Sequence, residues 1–416
     1  MPDRGVAGVP DRGVLRAPSE VLFGVGVVDA AGGLARRLAE RILVVTDPTI
    51  AAGEAAHRVM ASLRSVGLEV EVFDGAVAEL PIDVVLEAIR QAVGCAPECV
   101  VGLGGGSSID LAKLVALGMA HGENLRSFYG EEHVPGPTAP VIAIPTTAGT
   151  GSEVTPVAVL TDPEAVLKVG ISSRHLIPTC AVVDPAMTHG CPPSVTGHAG
   201  IDALAHAIEA FTAARRQLPA ASNAVFVGKN SLSDTFALEA IRHIAANLTA
   251  AQRDETPARA AVAYGSLCAG LAFATAGTAV AHALQYAIGA RTHTPHGLGT
   301  GLLLPYAMRF NQPTRLQELA AIGRAMGVCD ERGDDERCSR QAIAAVAALA
   351  VEVGVPASLA ALRVTEDELP ELARQALGVS RLIANNPRDL DERALVEILA
   401  AAWRGELAPP GRDAVR

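Results

Sequence analysis

Residues 99–113 read CVVGLGGGSSIDLAK: an apolar run, three consecutive glycines, two serines and a helix-forming stretch. The run is short and ends at a turn signal, so it reads as a strand buried on both faces. Three glycines let the backbone turn sharply and come close to a ligand, and Ser107 and Ser108 open a helix whose first N–H groups lack partners within it. A strand feeding a helix in this way is a unit of a parallel sheet, and the start of such a helix favours an anion such as a pyrophosphate. The stretch is not the G-x-G-x-x-G of the common dinucleotide fingerprint, and a purely structural glycine turn would look the same.

Working outward, ILVVTD (42–47) reads as a buried strand, the segment to about Val66 as a helix, LEVEVFDG (68–75) as a strand and 82–94 as a helix. VIAIPTTAGTGSE (141–153) is a further strand that ends in a polar loop. Strands alternating with helices predict a doubly wound, Rossmann-like parallel sheet. Both polar loops then lie at the carboxyl ends of strands, where ligands bind in such sheets. The candidate cofactor residues are Gly104, Gly105, Gly106, Ser107, Ser108 and Asp110 in one loop and its helix, and Thr146, Thr147 and Thr150 in the other. Asp47 ends the first of these strands. Its carboxylate can accept from both ribose hydroxyls of an adenosine and would repel a 2′-phosphate, which favours NAD over NADP. The alternative is a helix N-cap ahead of Pro48.

After Asp184-Pro185 the pattern changes to helical periods, with examples at 198–213, 233–248, 258–274, 315–326, 340–353 and 391–404. The expected organisation is a loose extension over 1–18, a nucleotide-binding α/β domain over 19–193 and an all-α domain over 194–416. The boundary falls near 190–196, at Gly190-Cys191-Pro192-Pro193. The extension repeats P-D-R-G-V at 2–6 and 10–14 and lacks the apolar centre of a signal peptide. Residues 213–231 read as a long connection, and 328–340 as a charged, solvated insert.

Half of the 416 residues are apolar and 19% are charged, with a net charge of −11 and no basic runs. Large cores are affordable to such a chain, while nucleic acid and anionic membranes are poor partners for it. Seven cysteines without a C-x-x-C pair argue against a disulfide framework and fit a reducing cytoplasm. From Ala260 to Ala290 there is no Asp, Glu, Lys or Arg. That run is long enough to span a bilayer, but its glycines and polar residues and the lack of basic flanks read better as two buried helices.

GIDALAHAIEAF (200–211) sets Asp202 and His206 four apart, on one face of a helix. His282 lies in the uncharged run and His296 follows in T-H-T-P-H-G. One carboxylate with neutral imidazoles suits Zn²⁺ or Fe²⁺ better than Mg²⁺ or Ca²⁺.

With these elements in place, the chain resembles the iron-containing (group III) alcohol dehydrogenase family, related in fold to glycerol dehydrogenase and dehydroquinate synthase. The resemblance runs through FGVG (23–26), VVTD (44–47), GGGSSIDLAK (104–113), IPTTAGTGSEVT (144–155), VVDP (182–185), GIDALAHAIEAF (200–211), SDTFALEAIR (233–242), AVAHALQYAIGARTHTPHG (279–297) and LLLPYAMRFN (302–311). It implies a divalent metal, Fe²⁺ or Zn²⁺, on Asp202, His206, His282 and His296 in a cleft between the two domains. It implies a pyrophosphate loop at Gly104–Ser108, a second cofactor loop at Thr146 and Thr147, a ribose carboxylate at Asp47 and a basic cofactor contact at Lys168, one of only three lysines.

The expected activity is hydride transfer between NAD(H) and a small alcohol or aldehyde, in a homodimer or higher homo-oligomer. Two positions depart from the family pattern. Tyr286 stands where many members carry a histidine of the proton path, leaving Tyr286 or His293 as the relay, and Glu79 stands where many have asparagine. Arg291, near His296, makes an anionic aldehyde a candidate substrate. The competing readings are a metal-free maleylacetate-reductase-like enzyme, a dehydroquinate-synthase-like lyase, a metal-dependent hydrolase and a nucleotide sensor.

Overall fold

The computed structural model describes residues 13–165, 167–216, 224–330 and 332–407. Among the described residues there are nine strands: β1 (Glu20–Phe23), β2 (Arg41–Val45), β3 (Glu69–Phe73), β4 (Cys99–Gly104), β5 (Gly130–Glu131), β6 (Val141–Pro145), β7 (Val157–Leu160), β8 (Val169–Ser172) and β9 (Cys180–Val183). Six of them form a sheet in the order β1-β9-β6-β4-β2-β3, and every adjacent pair in it is parallel. β4 and β6 are buried at every position, as strands covered on both faces must be. The chain runs from β2 outward to β3, then returns to the other side of β2 as β4. That reversal makes the ends of β2 and β4 the switch point at which an open parallel sheet binds ligands.

Helices cover both faces: α1 (Ala31–Arg36), α2 (Pro48–Ala51), α3 (Glu54–Ser65), α4 (Ile82–Cys95) and α5 (Gly106–His121). One apolar core lies on each side of the sheet, around Leu43, Ile89 and Leu114 on one face and Ile42, Val59 and Ile144 on the other. A second, three-stranded sheet, β5-β8-β7, with β7 and β8 antiparallel, is an addition to the expected doubly wound layer. It flanks the carboxyl end of the large sheet and delivers Lys168 just before β8.

The rest is helical: α6 (Pro193–Thr212), α7 (Ser231–Gln252), α8 (Thr256–Ala276), α9 (Val280–Thr292), α10 (His296–Asn311), α11 (Leu316–Ala325), α12 (Asp335–Glu352), α13 (Leu369–Leu377), α14 (Ser380–Asn385) and α15 (Glu392–Arg404). The uncharged run is two buried helices, α8 and α9, broken at Gly277. α8 is the one helix among the described residues long and apolar enough to cross a membrane, and most of it is covered by other helices. Alanine along α6, α8 and α9 lets these helices pack closely in one core.

Three expectations need adjustment. Residues 1–12 of the anticipated extension lie outside the described residues, but Arg16 is anchored. Its Nη1 donates to Val225 O at 2.9 Å and its backbone N–H to Thr275 Oγ1 at 3.4 Å. The supposed insert at 328–340 is not wholly solvated. α12 begins inside it and buries Cys338 and Ser339 completely, because the apolar stripe of that helix starts earlier than the charges imply. In the connection at 213–231, residues 217–223 lie outside the described residues. Val225 and Phe226 are buried, and Phe226 helps to wall the site described next.

Candidate active site

The glycine turn bends as its sequence requires. Gly104 has φ +144°, and a Cβ there would lie 2.5 Å from Ser108 Oγ and 3.4 Å from Asp47 Oδ2. The helix behind it, α5, starts with no side-chain cap, so its first N–H groups remain available to an anion. The threonine loop lies alongside, tied to the turn by Thr146 N–H donating to Gly104 O at 2.9 Å. Asp47 does cap α2: Oδ1 accepts from Thr49 N–H at 2.9 Å and Ile50 N–H at 3.0 Å. Its other oxygen is the one beside Gly104, so the cap and the ribose reading are compatible.

Asp110 is bound up within the protein. Ser152 Oγ donates to its Oδ1, Val159 N–H donates to its Oδ2 at 3.0 Å, and Lys113 Nζ stands 3.8 Å away. It thereby ties α5 to the second loop and to β7. Lys113 is fully buried and donates to Thr155 O at 3.0 Å and Val157 O at 2.8 Å, and burial draws its ammonium down to about 8. The neighbouring Glu153 is pushed up to about 7, chiefly by burial.

A cleft of about 500 Å³ runs from this turn to the helical layer. Gly106, Ser107 and Thr150 line one end, and Asp202, His206, His282 and His296 line the other. Asp47, Gly104, Gly105, Ser108, Thr146 and Thr147 are not among the residues that line this cleft. Lys168 faces the cleft and pairs with Glu79 at 2.6 Å. Tyr286 and His293 also line it, His293 at the exposed rim as the left-handed cap of α9.

α6 carries Asp202 and His206 on one buried face, α9 carries His282, and α10 opens with His296. Asp202 Oδ1 is 3.7 Å from His282 Nε2 and 3.8 Å from His296 Nε2, while Asp202 Oδ2 is 4.0 Å from His206 Nε2. Donor atoms of Asp202, His282 and His296 all lie within 4.8 Å of one another. The His206 ring stacks on that of His282 at 4.6 Å. Asp202 Oδ1 and His282 Nε2 are buried without a hydrogen-bond partner. Orphaned acceptors of this kind are costly unless something else satisfies them. A divalent ion fits such a donor set. His296 is about a third exposed toward the cleft, which leaves one side of the cluster open to substrate.

Electrostatics point the same way. Burial pushes the Asp202 carboxyl up to about 6. Burial and then the neighbouring His282 charge hold His206 and His296 well below the ordinary histidine range, as the neutral imidazoles that bind metal. Burial would lower His282 as well, but the carboxylates of Glu209 and Asp202 outweigh it and raise it.

Glu209 was missed in the sequence. It lies seven residues beyond Asp202, on the same face of α6, and the i,i+7 spacing was the available signal. Its buried carboxylate accepts from His282 Nδ1 at 2.6 Å, Ala279 N–H at 2.9 Å and Ala281 N–H at 2.7 Å. The proton is thereby held on Nδ1, and the Nε2 lone pair faces Asp202. Arg291 is a correction in the opposite sense. It lies on the outer side of α9, pairs with Glu368 and is 48% exposed, away from the cleft lining.

The approach of α10 to α6 depends on Gly297. A Cβ there would lie 2.1 Å from His198 O and 3.0 Å from Asp202 Cβ. Backbone cannot yield as a flexible side chain does. A Gly297→Ala enzyme is therefore expected to lose about 1–3 kcal/mol of stability and to bind metal more weakly, because His296 is displaced from Asp202. Calorimetric unfolding and metal analysis check this, and a variant matching the wild type on both would refute the close-approach argument.

The family described as iron-containing alcohol dehydrogenase matches residues 18–185, and the C-terminal part of the Fe-containing alcohol dehydrogenase family matches residues 196–403. The chain is 34% identical to long-chain-alcohol dehydrogenase 1 of Geobacillus thermodenitrificans (strain NG80-2), over 93% of this chain and 96% of that protein. It is 32% identical to lactaldehyde reductase of Escherichia coli (strain K12), over 92% of this chain and 97% of that one. A crystal structure of 1,3-propanediol oxidoreductase superposes with a TM-score of 0.88 at 30% identity, covering 94% of this chain and all of that one. The two family matches meet at the junction between the last strand of the sheet and α6, and the chain belongs to the iron-containing alcohol dehydrogenase family, whose chemistry interconverts alcohols and aldehydes.

Proposed function

We propose that the chain is an NAD(H)-dependent aldehyde reductase whose divalent metal, Fe²⁺ or Zn²⁺, is held by Asp202, His206, His282 and His296. The observation that carries this reading is the convergence of buried, unpartnered donor atoms at the end of a cleft whose other end is the glycine turn. When bound, the metal supplies Lewis acidity and the reduced nicotinamide supplies the hydride. The chain's own residues do the rest. N–H groups at the start of α5 receive the pyrophosphate, and the free oxygen of Asp47 receives the adenosine ribose and disfavours a 2′-phosphate. Lys168 contacts the cofactor from the small sheet. Glu209 keeps the proton on His282 Nδ1. Burial raises the Tyr286 phenol, so it stays protonated and can pass its proton to the substrate oxygen, with His293 at the rim as the second relay candidate.

A metal-free, maleylacetate-reductase-like enzyme is disfavoured by the complete donor set. A dehydroquinate-synthase-like lyase would need more basic groups than Lys168 and Arg381 supply. In this reading residues 19–193 bind the nucleotide, and residues 194–416 hold the metal. A homodimer or higher homo-oligomer fits the edge strand β1, which leaves Val21 and Phe23 more than a third exposed. The free thiols of all seven cysteines fit the cytoplasm.

The test is a panel of small aldehydes and alcohols with NADH, NADPH and their oxidised forms after iron or zinc loading, followed at the nicotinamide absorbance. NADH is expected to exceed NADPH by about tenfold or more in kcat/KM, and Asp47→Gly to narrow that gap. Absence of turnover across the panel would remove the reading, and a preference for NADPH would remove the role given to Asp47.

A further inference from the structure

The cleft holds a cation that the reaction as described does not use. Arg381, on the short helix α14, lines it together with His282, Tyr286 and Phe226. Its guanidinium lies over the Phe226 ring, with Cζ 4.2 Å from the ring centroid, which fixes the plane and leaves the edge with its N–H donors free. α14 is itself pinned beside the metal segment: Asn385 Nδ2 donates to Ala276 O at 2.9 Å and Thr278 O at 3.0 Å, just before α9 begins. Among the described residues no carboxylate comes within ion-pair distance of Arg381. Glu131, a carboxylate whose charge acts on it, spends Oε1 on the N–H groups of Val225 at 2.8 Å and Phe226 at 3.3 Å. The other cation of the cleft, Lys168, is already neutralised by Glu79.

A largely enclosed charge with no counter-charge is expensive, and sites of this kind are kept where a ligand supplies the missing partner. We infer that the substrate is an aldehyde bearing an anionic group, a carboxylate, sulfonate or phosphonate, and that Arg381 is the residue that selects it. The planar fork matches such groups with two parallel hydrogen bonds, while the carbonyl end lies at the metal cluster. The inference rests on the aldehyde-reductase reading above and extends it to the substrate class. It also relocates the basic residue that the sequence had suggested, from the exposed Arg291 to Arg381.

The experiment compares succinic semialdehyde with 4-methylpentanal, a neutral aldehyde of the same shape, in metal-loaded wild type, Arg381→Met and Arg381→Lys. Wild type is expected to favour the anion by about tenfold or more in kcat/KM. Arg381→Met is expected to lose about 10²-fold on the anion, mostly in KM, and to stay within about threefold on the neutral aldehyde, with Arg381→Lys between them. Sulfoacetaldehyde and phosphonoacetaldehyde in the same assay identify which anion fits best. Independently of any variant, succinate should inhibit wild type competitively at a concentration about tenfold or more below that of succinamide. A wild type indifferent to charge, equal losses on both aldehydes, or equal inhibition by succinate and succinamide would overturn the inference and leave the reductase intact. Failure to reduce any aldehyde would overturn both.

Discussion

Replacing His282 by alanine is expected to strip the enzyme of most of its metal and to slow aldehyde reduction by about 10³-fold or more. His282 is the centre of the cluster. Its Nε2 faces Asp202 Oδ1 at 3.7 Å, and its ring lies 4.6 Å from that of His206 and 5.4 Å from that of His296. Removing it takes away one donor and also the ring against which two others pack. The remaining donors would be a carboxylate that burial already drives toward protonation and two imidazoles on separate helices. Several kcal/mol of transition-state stabilisation are at stake when a Lewis acid is lost, and each 1.36 kcal/mol is about a factor of ten in rate. The fold should survive, because Glu209 keeps its bonds from Ala279 and Ala281. Metal content and turnover measured on the same preparation decide the matter. A His189→Ala enzyme serves as control, since His189 pairs with Asp254 at the surface. Full metal occupancy with wild-type turnover in His282→Ala would refute the assignment of the cluster.

Helical geometry explains which parts of this site were legible in the sequence. Asp202 and His206 were readable because four residues return a helix to the same face. Tyr286 was singled out by the resemblance to the family instead, as the position four beyond His282 where many members carry a histidine. Arg291 misled for the converse reason. It lies nine residues beyond His282, and at about 100° per residue that is the opposite face, although it is close to His296 in the chain. Arg381 could not be found this way at all. It comes from a short helix about 100 residues after His282, and only tertiary packing brings it to the cleft. Phe226 was hidden within a connection that has no periodicity to read. Four strands of the large sheet, β2, β3, β4 and β6, were legible from their apolar or alternating runs, whereas β1, β9 and the small sheet were not. β5 has two residues, and β7 and β8 have four each, too few for an alternation to stand out. The glycine and threonine loops lie side by side, as their places at the ends of neighbouring strands imply. About half of the cofactor residues named from the sequence line the cleft.

Glu209 offers a sharper test of how the metal end is built, because two physical accounts of it give opposite signs. Its carboxylate accepts three protons' worth of donors, from Ala279 N–H, Ala281 N–H and His282 Nδ1, and it raises the affinity of His282 for a second proton. If that last effect dominated, Glu209→Gln would lower His282, reduce competition by protons and strengthen metal binding in mildly acidic solution. If orientation dominates, the result is the reverse. Glutamine offers one acceptor oxygen and turns an NH₂ group toward donors it cannot satisfy. His282 is then free to place its proton on Nε2, the atom that must carry a lone pair. Partners of metal-binding histidines are typically worth 10–100-fold in metal affinity, and a buried donor left unsatisfied costs about 1–3 kcal/mol. Orientation is the larger effect here, because the geometry is short and fully buried and because backbone donors from the start of α9 share the same carboxylate. Glu209→Gln is therefore expected to bind metal about 10–100-fold more weakly at pH 6 and at pH 8 alike, and to unfold at lower temperature. Excess metal should restore part of its activity, unlike that of His282→Ala. Metal affinity measured against a competing chelator at the two pH values separates the accounts. Tighter binding at pH 6 would show that Glu209 acts on the charge of His282, and unchanged binding at both would show that the carboxylate serves the fold of α9 alone.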